Sequence, residues 1–428
     1  MSQAIETLRA RLTDLRPGEF RAVVWSFLYF FCLLAAYLIL RPLRDEMGVA
    51  AGRDFLQYLF TATFLVMLIA SPIFSGAIAR LPRRRFIPLV YRFFIANLIV
   101  FWALLTLSVE TTWTARVFFV WVSVFNLFAV SVFWSFMADI WRTDQGKRLF
   151  GLIAAGGTAG TLLGSTLTLG LSGLVGPTNL LIAAAVLLEL AVFCARRLER
   201  SAEQNATEAR PVEQPMGGDM LAGFRLILGS PYLAGIAAWV ALLSLAGTFL
   251  YFIQQDVVRA ASSDPATRTR IFAAMDLGAN LLTIGLQFLA TGQLIKRLGA
   301  GPAAAALPLV FAAGFAGLVV APGLAAIVVF QTLQRTINFA FSNPAREILF
   351  TSVAREEKYK AKNLIDTVVF RGGDVVWSWT FAGLLGLVGS PLRVAMLAIP
   401  VMIGWAGLAL ALGRKQETKI AAPQEKQA

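Results

Sequence analysis

Long apolar runs, each close to twenty residues, recur about twelve times along this chain of 428 residues. A helix needs about 20 such residues to cross the hydrocarbon core of a bilayer, which is about 30 Å thick. Hydrophobic residues make up 57% of the sequence and charged residues only 15%, which excludes an ordinary soluble domain because the apolar residues fall in such runs. The sequence therefore predicts an all-α, polytopic membrane protein that contacts the lipid bilayer.

The predicted spans form two groups of six, separated by a polar stretch. The first six are Phe20 to Leu40, Phe55 to Ala79, Phe86 to Leu107, Trp113 to Ile140, Phe150 to Val175 and Asn179 to Ala195. The second six are Tyr232 to Val257, Ile271 to Leu294, Ala300 to Val320, Leu324 to Phe350, Asn363 to Leu387 and Arg393 to Leu412. We accordingly predict an amphipathic surface segment (1–19), a first bundle (20–195), a linker (196–230), a second bundle (231–412) and a tail (413–428).

Basic residues cluster in alternate connections between the spans and account for the net charge of +13. Examples are Arg83 to Arg85, Arg196 to Arg200 and Lys358 to Lys362. Positively charged connections stay on the cytoplasmic side, so an even number of spans with both termini in the cytoplasm fits the pattern. This explanation accounts for the basic clusters better than nucleic-acid binding, which we do not expect.

The residues used in many active sites are scarce in this chain. It has no histidine, and its two cysteines, Cys32 and Cys194, both lie in apolar runs. We therefore expect no disulfide, no metal and no cofactor. There is also no Gly-x-Ser-x-Gly elbow, so an enzyme is the weakest candidate, although a mechanism built on carboxylates stays open.

The first apolar run is interrupted where Arg41, Arg44 and Asp45 arrive within five positions. Two interpretations are open. The charged groups can anchor a helix end by reaching the lipid headgroups. Alternatively, the two arginines continue the helix into a watery cavity and bind an anion, because guanidinium groups donate paired hydrogen bonds to phosphate or carboxylate.

Charged and amide side chains also interrupt three later spans, where they are costly and often mark a transport pathway. They are Asp276 and Asn280 in the eighth span, Gln331, Arg335 and Asn338 in the tenth, and Arg371 and Asp374 in the eleventh. Arg371 and Asp374 can pair at a spacing of three residues. A closed network of Arg371, Asp374 and Asp276 that holds helices together is as good an interpretation as a substrate role. For Arg335 we favour substrate binding, because no acid accompanies it on its own helix face.

Other polar or small residues favour structural roles. Glu189 in the sixth span is expected to contact a partner on another helix. Asp139, Arg142, Lys147 and Arg148 suit either a cytoplasmic gate or a solvated loop. Glycines at four-residue spacing in the fifth span, Gly156, Gly160 and Gly164, favour close packing against a neighbouring helix.

The two groups of spans echo each other weakly. Tyr37-Leu-Ile-Leu-Arg41 at the end of the first span is matched by Tyr251-Phe-Ile-Gln-Gln255 at the end of the seventh. Two related six-helix halves resemble the architecture of the major facilitator superfamily, which has a cavity between its halves.

Three groups of residues resemble motifs of the ATP/ADP translocase family of plastids and intracellular bacteria. They are Phe30-Phe-Cys32 with Tyr37, Ile39-Leu-Arg41 and Arg44-Asp45; Phe133-Trp134 with Asp144-Gln-Gly-Lys-Arg-Leu-Phe150; and Arg346-Glu347 with Lys358, Lys360, Lys362, Ile365-Asp366 and Arg371-Gly372. The resemblance implies a nucleotide transporter in the inner membrane of a bacterium. Arg44 and Asp374 stand where the family usually has lysine, and the charge reversal at Asp374 argues against exchange of ATP and ADP.

The sequence thus predicts a monomeric secondary transporter that works by alternating access on a small anionic, phosphorylated or nucleotide-like solute. The expected substrate-binding residues are Arg41, Arg44, Asn280, Gln331, Arg335, Asn338 and Arg371. The expected coupling or gating residues are Asp45, Asp139, Arg148, Asp276 and Asp374. Exchange needs no titrating group, whereas proton symport needs an acid such as Asp276 or Asp374. The alternative is a membrane protein that handles lipid headgroups or does not transport at all.

Overall fold

The computed structural model describes residues 19–80, 83–203, 220–287, 297–353, 361–362 and 364–425. Within these ranges the regular structure is helical, and no strand occurs. The predicted surface segment lies, apart from its last residue, outside the described residues. Much of the linker, the basic stretch from Arg355 to Lys360 and the end of the tail lie outside them as well.

The described helices follow the predicted spans closely and are numbered here in chain order. They are α1 (Phe20–Ala50), α2 (Leu56–Arg80), α3 (Arg83–Thr106), α4 (Thr111–Ile140), α5 (Thr143–Val175), α6 (Leu180–Glu203), α7 (Met220–Gly229), α8 (Pro231–Ala261), α9 (Pro265–Leu286), α10 (Ala300–Val320), α11 (Leu324–Ile337), α12 (Asn343–Leu349), α13 (Phe370–Val388) and α14 (Pro391–Glu425). A π-helical turn, Asn338–Ser342, joins α11 to α12, and another, Ile365–Val369, leads into α13.

Among the described residues, nine helical segments are long and apolar enough to cross a membrane. The predicted sixth, eighth and eleventh spans coincide with α6, α9 and α13, which are outside this set of nine. In α9, Arg268, Arg270 and Asp276 fall within the 22 described residues, and the predicted span continues beyond them to Leu294. The prediction of an all-α, polytopic membrane fold is confirmed.

The chain divides into two compact units that each combine separate stretches of sequence. The first unit comprises Met1–Gly52, Leu65–Val212 and Ser262–Asn280, and the second comprises Arg53–Phe64, Glu213–Ala261 and Leu281–Ala428. Each unit therefore includes a short stretch from the other group of spans. The bundle boundaries given by the sequence stay a prediction.

In the first unit, α1 packs most extensively against α5 and α6. A Cβ atom at Gly156 would lie 2.5 Å from the carbonyl oxygen of Phe27, and Cβ atoms at Gly160 and Gly164 would overlap the carbonyl oxygens of Phe31 and Ala35. The predicted packing role of these glycines is confirmed, because the two backbones approach so closely that no larger side chain fits.

A buried aromatic core joins α1 to α3 and α4. The hydroxyl of Tyr29 donates to the hydroxyl of Tyr91 at 2.8 Å, and the hydroxyl of Tyr91 donates to the carbonyl of Ala129 at 2.9 Å. The Phe30 and Phe133 rings stack with their centroids 4.1 Å apart. These contacts satisfy the buried hydroxyls and fix α1 in the centre of the first unit.

In the second unit, α8 contacts α13 and α14, and α10 packs along α14. The core contains Trp239 and Trp405, whose ring centroids are 5.7 Å apart, and Phe311, Phe315 and Phe330, which contact one another.

Candidate functional site

The first polar cluster lies in the first unit, where the last turns of α1 meet the first turns of α9. Arg41 Nη1 lies 3.6 Å from Asp276 Oδ1, and Glu46 Oε1 lies 3.7 Å from Arg268 Nη2. The Asp276 and Glu46 side chains are only 2% and 4% exposed. Two buried carboxylates are thus each matched by an arginine from the other helix, which links the two helix ends.

Arg44, on the same end of α1, pairs with its sequence neighbour. Arg44 Nη2 lies 2.6 Å from Asp45 Oδ1, and the guanidinium carbon lies 5.5 Å from the centroid of the Phe119 ring. The helix continues from Leu40 to Ala50 through Pro42. The backbone part of the second interpretation, in which the arginines extend the first helix, is therefore confirmed. Both predicted anion-binding arginines of α1 nevertheless have a carboxylate partner.

Some hydrogen-bonding capacity remains in this cluster. Among the described residues, Arg41 Nε and Asn280 Nδ2 are buried and have no hydrogen-bond partner. Asn280 follows Asp276 by one helical turn, as the sequence indicated. The cluster can therefore donate hydrogen bonds, but its net charge is largely neutralised by pairing.

The second polar cluster lies in the second unit and consists mainly of amides. Gln331 Nε2 on α11 donates to Gln254 Oε1 on α8, and Gln334 Nε2 donates to Gln331 Oε1 at 2.8 Å. Gln254 and Gln331 are buried. Among the described residues, Gln254 Nε2 and Asn338 Oδ1 are also buried and have no hydrogen-bond partner.

Arg335 and Asn338 extend this cluster along α11 into the π-helical turn, and both side chains are half-buried. Gln331, Arg335 and Asn338 fall on one face at helical spacing, as predicted. A π-helical turn carries one extra residue per turn and is often found at functional sites. Arg335 therefore shares a helix face with Gln331 and Asn338, and buried atoms of the Gln254 and Asn338 amides lack a hydrogen-bond partner among the described residues.

A third polar group lies on α13, in the second unit. Arg371 Nη1 lies 3.6 Å from Asp374 Oδ2, so the predicted pairing at three-residue spacing is confirmed. Asp374 Oδ1 also accepts a hydrogen bond from Ser244 Oγ of α8 at 2.6 Å. One interpretation of the sequence joined these two residues to Asp276 in a closed network, whereas the structure shows the carboxylate of Asp276 beside Arg41 of the first unit.

The remaining predicted residues have mixed outcomes. Arg148 is not part of a solvated loop, because it lies in α5 with its Nη2 atom 3.0 Å from Glu19 Oε1, and both side chains are mostly buried. Arg142 is exposed, in agreement with the loop interpretation. Asp139 is half-buried near the end of α4, and the side chain of Lys147 lies outside the described residues.

Glu189 contacts a partner on another helix, as predicted. Its Oε1 atom lies 2.7 Å from Arg92 Nη2 on α3, and both side chains are about half exposed on the outer face of the first unit. Such a pair neutralises two charges that would otherwise be costly against lipid.

Sequence reasoning missed five members of these clusters, namely Gln254, Gln334, Ser244, Glu46 and Arg268. Gln254 entered the sequence analysis only within the stretch Tyr251 to Gln255 that echoes the first span. An amide within an apolar span is itself a signal for a buried polar site. Ser244, one of several hydroxyl residues in apolar spans, carries no comparable signal. The pair formed by Glu46 and Arg268 could not be found, because its members are distant in sequence.

The chain resembles known proteins in family and in fold. The model of the Major Facilitator Superfamily matches residues 24–361. A structure of the nucleoside transporter NupG, a point mutant, is similar with a TM-score of 0.59 and 15% identity, covering 94% of this chain and 99% of that one. A bacterial homolog of the human lysosomal transporter Spinster, inward-facing and unoccupied, is similar with a TM-score of 0.55 and 14% identity, covering 95% and 99%.

No curated protein matches the sequence. At 14–15% identity the two solved structures establish the likeness of fold alone.

Proposed function

The chain belongs to the Major Facilitator Superfamily, a family of transporters, and from this premise we propose that it carries a small anionic solute by alternating access. The observation that supports an anionic solute is the group of amides of Gln254, Gln331 and Asn338 in the second unit. Arg335 lies on the same helix face as Gln331 and would supply the positive charge. Arg335 is the proposed primary contact with the solute.

The chemistry of this cluster suits a solute that is both charged and rich in hydrogen-bonding groups. A guanidinium stays protonated and donates a fixed fork of hydrogen bonds to phosphate or carboxylate. Buried amide atoms that lack a partner are costly unless a ligand supplies one. The Nε2 donor of Gln254 and the Oδ1 acceptor of Asn338 would bind hydroxyl or amide groups of the solute. A phosphorylated or nucleotide-like compound has both kinds of group.

The other three arginines predicted to bind substrate have a different proposed role. Arg41, Arg44 and Arg371 each lie beside a carboxylate, which lowers their capacity to attract an anion. We assign the pairs of Arg41 with Asp276 and of Arg371 with Asp374 to coupling, in which partners would exchange as the transporter changes state. Asp45, Asp139 and Arg148 stay candidates for gating, and the choice between exchange and proton coupling is left to the transport assay.

The first experiment identifies the ligand and tests Arg335. A thermal-shift screen on detergent-purified protein would use nucleotides, nucleosides, sugar phosphates and carboxylates, because a ligand that binds the folded state raises its apparent stability. We expect Arg335→Ala to weaken the affinity for the best ligand about 10- to 100-fold, the range for a hydrogen bond to a charged group. The folded yield should not change.

Arg414→Ala is the matched control, since Arg414 is an exposed arginine near the end of α14. Unchanged affinity in Arg335→Ala would contradict the proposed site, and loss of stable membrane expression would make Arg335 a structural residue. Counterflow of the labelled ligand in proteoliposomes then tests transport itself. Ligand binding without counterflow would favour the alternative of a protein that does not transport.

A further inference from the structure

A cleft with a volume of about 410 Å³ lies at one end of the first unit, between the start of α1 and the end of α6. Its lining includes Phe20, Arg21 and Trp25 from α1 and Arg197 and Arg200 from α6. The volume lies within the usual range for sites that bind small ligands. The residues that line the cleft belong wholly to the first unit, and none of them is part of the proposed solute site.

The polar lining of the cleft is strongly basic. Arg21, Arg197 and Arg200 are all exposed, and none of the described residues that line the cleft is acidic. The nearby carboxylate of Glu19 is held elsewhere, because it accepts hydrogen bonds from Arg148 Nη2 and Gln145 Nε2, both at 3.0 Å. Three guanidinium groups around one cavity favour a phosphate ligand.

Apolar surface adjoins these arginines. Phe20 is 63% exposed and Phe193 is 46% exposed. The Trp25 ring meets the Phe193 ring edge-on with centroids 5.9 Å apart, and the Arg197 guanidinium lies 5.0 Å from the centroid of Phe193. Aromatic residues beside basic ones at the ends of membrane helices are typical of the lipid–water interface. The ligand should therefore carry both an anionic and an apolar part.

We infer that this cleft binds the phosphate headgroup of an anionic phospholipid, with Arg21, Arg197 and Arg200 around the phosphate and Phe20 and Trp25 beside the acyl chains. Basic pockets between membrane helices bind lipid headgroups in this way. Because the basic connections predict that this end faces the cytoplasm, the lipid would come from the cytoplasmic leaflet. Its binding would join the start of α1 to the end of α6.

The test measures lipid retention by native mass spectrometry of the full chain, purified in detergent and titrated with phosphatidylglycerol or phosphatidylcholine. We expect the wild type to retain phosphatidylglycerol in preference to phosphatidylcholine. Each arginine removed near an anionic lipid should weaken retention about fivefold, so Arg197→Gln with Arg200→Gln should weaken it about 25-fold. Arg414→Gln removes an exposed arginine that does not line the cleft and should retain the lipid like the wild type.

Three results would overturn the proposal. The double variant could retain phosphatidylglycerol like the wild type, or Arg414→Gln could lose it to the same extent, which would indicate diffuse attraction by the net charge. Inorganic phosphate could also displace the lipid at equal concentration, which would assign the cleft to a soluble anion. If the double variant fails to fold, Arg21→Gln replaces it, with an expected loss of about fivefold.

Discussion

The first and second polar clusters are built from different chemistry. In the first unit, Arg41, Arg44 and Glu46 each lie beside an opposite charge. In the second unit, the buried contacts of Gln331 are to the amides of Gln254 and Gln334. A charge pair neutralises and orients both members, whereas an amide contact leaves further donors and acceptors available. The comparison suggests that the charge pairs of the first cluster link α1 to α9 in this state and that the second cluster binds the solute.

The two units also differ in how regular their helices are. In the first unit, α1 and α5 are regular helices in close contact through glycines. In the second unit, π-helical turns interrupt the regular helix at Asn338–Ser342 and Ile365–Val369, beside the polar residues. Tight packing of regular helices favours rigidity, and π-helical turns often accompany functional positions.

The largest expected effect comes from breaking the charge pair of the first cluster. Arg41→Ala leaves the carboxylate of Asp276, which is 2% exposed, without its arginine, and should lower the free energy of unfolding by about 3–5 kcal/mol. Thermal unfolding in detergent measures this loss. The double variant Arg41→Ala with Asp276→Ala should recover much of it, because no buried charge is then left over.

Arg371→Ala is the matched variant in the second unit, where the arginine of the pair is 40% exposed, and its effect on stability should be smaller. The contrast between a charge-paired first cluster and a ligand-binding second cluster fails if Arg41→Ala keeps full stability and loses ligand affinity. In that case Arg41 would be a substrate residue, as the sequence first suggested.

A smaller effect is expected from the packing of α1 on α5. Gly160→Ala would place a methyl group against the carbonyl oxygen of Phe31, and overpacking of this kind costs about 1–3 kcal/mol. Gly170→Ala on the same helix is the control, because nothing lies within 4 Å of a Cβ atom there. Equal melting temperatures for the two variants would show that the contact between α1 and α5 tolerates a methyl group. That result would contradict the tight packing inferred for the first unit.

The smallest effect tests the amide cluster. Gln334→Ala removes the donor that holds Gln331 at 2.8 Å, and such a hydrogen bond contributes about 0.5–1.5 kcal/mol. We expect ligand affinity to fall by at most about tenfold. Stability without ligand should fall by no more than about 1.5 kcal/mol, since Gln334 is only half-buried. Isothermal titration with the ligand from the thermal-shift screen measures the change, and a loss of stability with unchanged affinity would make the amides structural.

Part of the candidate site could be predicted because it depends on one helix. Gln331, Arg335 and Asn338 share a face through helical periodicity, and Arg371 meets Asp374 because residues three apart are neighbours on a helix. The apolar run ends at Leu40 but α1 continues to Ala50, because hydropathy marks where apolar side chains stop and not where backbone hydrogen bonding stops.

The sequence by itself determined the membrane fold, the positions of the helices and the local spacing of polar residues, since all of these follow from composition and from periodicity within single segments. Only the tertiary structure decided the partners, such as Asp276 for Arg41, Arg268 for Glu46 and Gln254 for Gln331. These contacts join helices far apart in the chain, and an isolated sequence pattern carries no record of which helices pack together. An arginine that reads as an anion site in the sequence therefore becomes half of an ion pair once a distant carboxylate is brought beside it.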